Sequence, residues 1–136
     1  MDISLVMMKY IGFFYLLFGI ALVSNNKIYD LLLDIFDNDS KLFILGFLTI
    51  LFSLPIVIFH NIWNDLLTGF ISFLGWVGLF KGFFQITFTS FVKKKAKSNL
   101  SILKLKIRGF LSIIIGLFFL FYSYFSNDLI FNFNYL

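Results

Sequence analysis

Cysteine is missing from this chain altogether, and with it go disulfides, thiolate metal sites and cysteine nucleophiles. Glutamate is missing as well: all seven acidic residues are aspartates. There is one histidine, His60, and one proline, Pro55. A catalytic zinc needs three protein ligands, which one histidine without cysteine or glutamate does not assemble within the chain. No phosphate loop, nucleophile elbow or paired carboxylates appear. Charge is scarce too, at 13% of residues against about 25% in a soluble domain. No metal, cofactor or catalytic role is therefore assigned from the sequence, and the chain is not expected to be an enzyme.

Apolar residues fill the space left by charge. They make up 60% of the 136 residues, with a mean hydropathy of +0.97. A chain of this length has too little interior to hide that much apolar surface, so the bilayer must solvate it. The expected architecture is all-α: a polytopic membrane protein, one membrane domain over residues 1–136, with four transmembrane helices in a bundle.

The apolar runs place the spans at about 5–23, 42–59, 63–81 and 107–125. Nineteen residues at 1.5 Å each cover roughly 30 Å of hydrocarbon. A cleaved signal peptide competes for the first run, but no basic segment precedes it and no small-x-small site follows Val23. Between the first two spans, Ile28, Leu31, Leu32, Ile35 and Phe36 keep helical spacing, with Asp30, Asp34 and Asp37 opposite. This predicts a short amphipathic helix in the interface, followed by an N-cap at Asp39 or Ser40. The same aspartates lack the glycine and terminal glutamate of a calcium loop, so they read as a solvated face. Pro55 reads as a static bend near the end of the second span.

The net charge of +4 would point to nucleic acid in a soluble protein, but here the positives are concentrated. Lys93, Lys94, Lys95, Lys97, Lys104, Lys106 and Arg108 lie within 16 residues, between the third and fourth spans. In a membrane protein that is a topology signal, and no nucleic-acid partner is expected. Lys27 and Lys41 add to the same side, whereas the second loop and the tail at 127–136 hold neither Lys nor Arg. The basic loop at about 92–106 is thus expected in the cytoplasm and both termini outside. Lys81 ends the third span within snorkelling distance of the cytoplasmic interface, where Lys81 and the Lys93 to Lys97 cluster are expected to compensate the aspartate face.

The most distinctive stretch joins spans two and three. His60, Asn61, Trp63, Asn64 and Asp65 form a polar knot, and Gly69, Gly75, Gly78 and Gly82 punctuate the run behind it. His60 with Trp63 suggests either a haem or metal ligand or a polar turn with Trp63 in the interfacial aromatic belt; the turn is the simpler reading. The glycines, with Gly12/Gly19 and Gly109/Gly116 on the first and fourth spans, are stripes for close helix packing. No acidic residue lies inside a span, whereas ion-coupled carriers usually hold an ionisable group there despite its cost.

The hairpin resembles an uncharacterised family of small bacterial integral membrane proteins. These carry a His-Asn-x-Trp turn (here His60, Asn61, Trp63) and a Gly-Trp…Lys-Gly stretch (here Gly75, Trp76, Lys81, Gly82). The four-span layout is also loosely similar to DoxX-type proteins. The resemblance covers about 30 residues. It implies a helical bundle in the bacterial inner membrane, and no activity comes with it. Three function classes stay open: first an accessory, scaffold or assembly subunit acting in a homo-oligomer or larger membrane complex, next an oligomeric channel or carrier lined by Thr49, Ser53, Thr68, Ser72 and Lys81, and last an enzyme or redox-cofactor protein.

Overall fold

A backbone in hydrocarbon must satisfy its own N–H and C=O groups, and a lone apolar segment can do so only as a helix. The computed structural model describes the backbone of residues 2–133 and the side chains of residues 2–126. It has six helices: α1 Ile3–Ser24, α2 Ile28–Asp37, α3 Asp39–Phe59, α4 Leu66–Thr87, α5 Thr89–Asn99 and α6 Ile102–Phe133. Strands are absent among the described residues. Helices α1, α3, α4 and α6 are long and apolar enough to cross a membrane. The chain is therefore all-α with four candidate spans, and α2 is the short amphipathic helix expected after the first.

The helices overrun the hydropathic segments. α3 starts three residues before 42, α4 continues six residues past 81, and α6 begins five residues before 107. Hydropathy marks only the part immersed in hydrocarbon, whereas a helix continues through the headgroup zone until a cap or breaker ends it. The expected basic loop is consequently helical except at Leu100 and Ser101, its first half in α5 and its end in α6. α6 also carries the helix into the tail as far as Phe133; the side chains of that tail, Asp128 included, and residues 134–136 lie outside the described residues.

The caps explain the starts. Asp2 closes α1 by accepting from the Ser4 N–H at 3.0 Å. At α3 the cap is Asn38, not Asp39 or Ser40. Its Oδ1 accepts from the N–H groups of Ser40 (3.0 Å) and Lys41 (3.3 Å). Asn38 has the extended backbone a cap requires, φ −105° and ψ 114°, while Asp39 is already helical. α3 then runs unbroken through Pro55, whose missing N–H leaves the Leu51 carbonyl without its usual donor.

The helices divide into two compact units, α1 with α6 and α2 to α5. In the first, α1 and α6 run antiparallel and meet glycine to glycine. A Cβ on Gly12 would lie 3.1 Å from the Gly116 carbonyl oxygen, and one on Gly19 would lie 2.7 Å from that of Gly109. Two serines tie the same face to the opposite backbone. Ser112 Oγ donates to Tyr15 O at 2.7 Å and Ser123 Oγ to Leu5 O at 3.1 Å. Met8, Ile11, Phe119 and Leu120 fill the space between them. Lys9 lies with its Nζ 4.7 Å from the centre of the Tyr124 ring, a cation–π contact that suits a charge near the membrane edge.

In the second unit, α3 and α4 form an antiparallel hairpin with the same chemistry. A Cβ on Gly82 would meet Gly46 O at 2.8 Å, and one on Gly75 would meet Ile56 Cγ2 at 2.6 Å. Gly78 faces Ser53 with no room for a methyl group. Gln85, buried, donates from Nε2 to Leu42 O at 2.9 Å. Lipid is as apolar as leucine, so close backbone contact replaces the hydrophobic drive between helices. An interhelical hydrogen bond in a membrane averages about 0.6 kcal/mol, so the glycine contacts decide how close the helices come and the serines fix their register.

Candidate functional site

The polar knot folds around Ser72. His60 ends α3, its backbone N–H donating to Ile56 O at 2.9 Å, and its side chain is fully buried at 0% exposure. The ring Nδ1 lies 3.2 Å from Ser72 Oγ. The same hydroxyl is 2.8 Å from His60 O, 2.9 Å from Ile62 O and 3.1 Å from Thr68 O, and it accepts from the Ile62 N–H at 3.1 Å. A hydroxyl has one hydrogen to give and two lone pairs. Donation to the nearest carbonyl and acceptance from Ile62 N–H leave one lone pair, which the His60 Nδ1–H fills in the tautomer protonated there. A single serine on α4 thus stitches the whole connection between the two spans. His60 is tucked inside this arrangement instead of standing at the surface, and no three His, Cys, Asp or Glu side chains converge among the described residues.

Asn61 performs the second stitch. Its Oδ1 accepts from Trp63 Nε1 at 2.8 Å and from Trp76 Nε1 at 3.4 Å, so both tryptophans of the chain point at one amide oxygen. Trp63 is 56% exposed. Trp76 stacks on Phe80 with ring centres 5.9 Å apart. Downstream, the Asp65 N–H donates to Thr68 Oγ1 at 3.1 Å as α4 begins. The hairpin residues singled out from sequence fall into three groups. His60, Asn61, Trp63 and Trp76 are brought together at the turn. Gly75 and Gly82 lie on the α3-facing stripe. Lys81 is exposed, away from both.

At the opposite end of the hairpin, α5 lies against the acidic side of α2 and the start of α3. Lys97 pairs with Asp37, and Lys93 reaches Asp39 Oδ1 at 3.0 Å and Asp37 O at 2.8 Å. Asp34 pairs instead with Lys41. The aspartate face and the basic cluster do compensate each other, but through Lys93 and Lys97. Lys81 makes no ion pair among the described residues, because it sits four residues nearer the membrane interior than Gln85, which is level with Leu42.

The hydroxyls suggested as a lumen lining are all engaged with backbone carbonyls. Thr49 donates to Leu45 O and Ser53 to Thr49 O, both at 2.8 Å, and Thr68 donates to Asp65 O at 3.1 Å. Sequence reasoning did not assign Ser72, Ser112, Ser123 or Gln85 to interhelical bonds. The available signal was a lone polar residue on the glycine-bearing face of an apolar run. Comparison with family models, with curated proteins and with solved structures finds no match to this chain.

Proposed function

We propose that this protein is a non-catalytic subunit of the bacterial inner membrane that supports or assembles a larger membrane complex. One observation carries the reading. Within the spans, Ser72, Gln85, Ser112 and Ser123 bond the backbone of another segment, Thr49 and Ser53 bond carbonyls of their own helix, and among the described residues no buried side-chain nitrogen or oxygen is without a hydrogen-bond partner. A solute pathway needs polar groups that can exchange protein partners for a passing ion or ligand, and an active site needs groups held ready for substrate. Much of the span surface is apolar and outward-facing: in each span window only 22–28% of residues are buried. Phenylalanines such as Phe47, Phe73, Phe110 and Phe121 stand exposed. That surface suits lipid or the helices of a partner equally.

The His-Asn-x-Trp and Gly-Trp…Lys-Gly motifs support placing the chain beside the small bacterial membrane proteins it resembles, and the concentration of Lys and Arg around α5 supports a cytoplasmic position for that helix. Mild-detergent purification of the tagged protein at native abundance tests the role. Recovery with a larger membrane protein is expected. A homo-oligomer that conducts ions when reconstituted alone would replace this reading with the channel. Orientation is tested by single cysteines, which are unique in this chain: Asn64→Cys should label from outside and Ser98→Cys should not.

A further inference from the structure

The uncommitted cation at Lys81 lies beside an open groove of about 510 Å³, lined by Val77, Phe80, Phe83, Phe84 and Gln85 of α4 and by Val92 of α5. α4 ends at Thr87, and its cap Phe88 (φ −118°, ψ 52°) turns the chain into α5. This turn swings Val92 back over the groove. Phe84 is held between Phe88 and Phe91, with ring centres 4.8 and 6.0 Å away, so the groove wall is aromatic and braced. Its size falls within the range of ligand pockets, but its lining is hydrocarbon apart from Lys81 and Gln85, and the Gln85 amide already donates to Leu42 O. That leaves one charge at the mouth of an apolar slot. Lys81 is six residues short of the end of α4, about 9 Å along the axis, a depth from which a lysine reaches the phosphate level of a leaflet.

The lysines of α5 sort in the same direction. Lys93 and Lys97 turn to the aspartates, whereas Lys94 and Lys95 are exposed and form no ion pair among the described residues. We propose that Lys81 and this groove form a binding site for one anionic phospholipid, with an acyl chain against Phe80, Phe84 and Val92 and the headgroup phosphate on the Lys81 ammonium. Charge complementarity selects this occupant: a zwitterionic lipid fills the slot equally well but leaves the lysine uncompensated, and Lys94 and Lys95 raise the local concentration of anionic headgroups. This site is independent of the subunit role proposed above, because it uses only residues of this chain.

Native mass spectrometry of the detergent-purified protein, titrated with phosphatidylglycerol or with phosphatidylcholine of the same acyl chains, tests the proposal. One phosphatidylglycerol should be retained in preference to phosphatidylcholine. Lys81→Gln should weaken that binding about fivefold, as expected for one lysine near an anionic surface, while Lys81→Arg should preserve it. Inorganic phosphate at millimolar concentration should not compete, since it brings no acyl chain to the groove. Equal retention of the two lipids, undiminished phosphatidylglycerol binding by a Lys81→Gln protein with wild-type circular dichroism, or displacement by phosphate would each overturn the proposal.

Discussion

Replacing Gly116 by alanine tests most directly whether backbone contact holds α1 to α6. The added Cβ would fall 2.6 Å from Leu16 N, 2.8 Å from Gly12 O and 2.9 Å from Leu16 Cα. All three are backbone atoms, so no side-chain rotation relieves them. Ordinary carbon contacts lie at about 3.5–4.0 Å, so the helices must part by roughly 1 Å. A gap of that size forfeits about a quarter to a half of the attraction at every contact along the seam, in line with the roughly 1–3 kcal/mol that overpacking usually costs. Gly12→Ala should cost less, since its nearest clash is the Leu120 side chain at 2.8 Å, which can turn. Gly69→Ala serves as the control. Its Cβ would meet only Trp63 Cε3, at 3.7 Å, and alanine is the better helix former by about 1 kcal/mol. Unfolding in mixed micelles titrated with dodecyl sulfate should rank Gly69→Ala at or above wild type, then Gly12→Ala, then Gly116→Ala. If Gly116→Ala unfolds with wild type, the close approach of these helices is not what holds them.

Three further perturbations have defined outcomes. Ser72→Ala removes the acceptor of the Ile62 N–H and the partner of His60 Nδ1, and should cost about 1–3 kcal/mol; faster amide exchange at Ile62 would report it. Asn61→Ala strips both indoles of their acceptor and should red-shift intrinsic fluorescence, with a smaller loss of about 0.5–1.5 kcal/mol because Trp63 is already half in solvent. The pairs on α5 are exposed, with side-chain accessibilities of 57% at Asp37 and 73% at Asp39, so each is worth at most about 0–1 kcal/mol. The double variant Asp37→Asn/Asp39→Asn should speed trypsin cleavage at Lys94 and Lys95 a few-fold, roughly the factor that energy allows, whereas Asp34→Lys alone should not, since Asp34 bonds Lys41 instead.

The spans and the interfacial helix were legible because lipid imposes length and apolarity on whole segments, a signal averaged over some twenty residues. The glycine stripes were legible as packing faces, since spacing alone puts Gly12 and Gly19 on one side of α1. Their partners were not, because which helix faces which is a property of the assembled chain and no local pattern encodes it. The same limit hid Ser112 and Ser123, whose acceptors lie 97 and 118 residues away in sequence. The cap lies at Asn38, one or two residues before the expected Asp39 or Ser40, because Asn, Asp and Ser follow one another there and all three cap well; only the backbone angles separate them. At the turn, the motif residues were recognised together, but the serine that His60 bonds sits nearly two helical turns into α4, where a polar residue is easily taken for a lumen lining.

The pairing of α1 with α6 also sets an order of events for making the protein. α3 and α4 are neighbours in sequence and can close on each other as soon as both have left the ribosome. α1 has to wait for a partner that begins nearly 80 residues after α1 ends, which at about 5–20 residues per second is an interval of several seconds. During that interval the glycine face of α1 meets only lipid or whatever other helix is close by. The first helix made is therefore the last to be matched, and that waiting period is when a chaperone, an insertase or a stray glycine-faced helix has access to it.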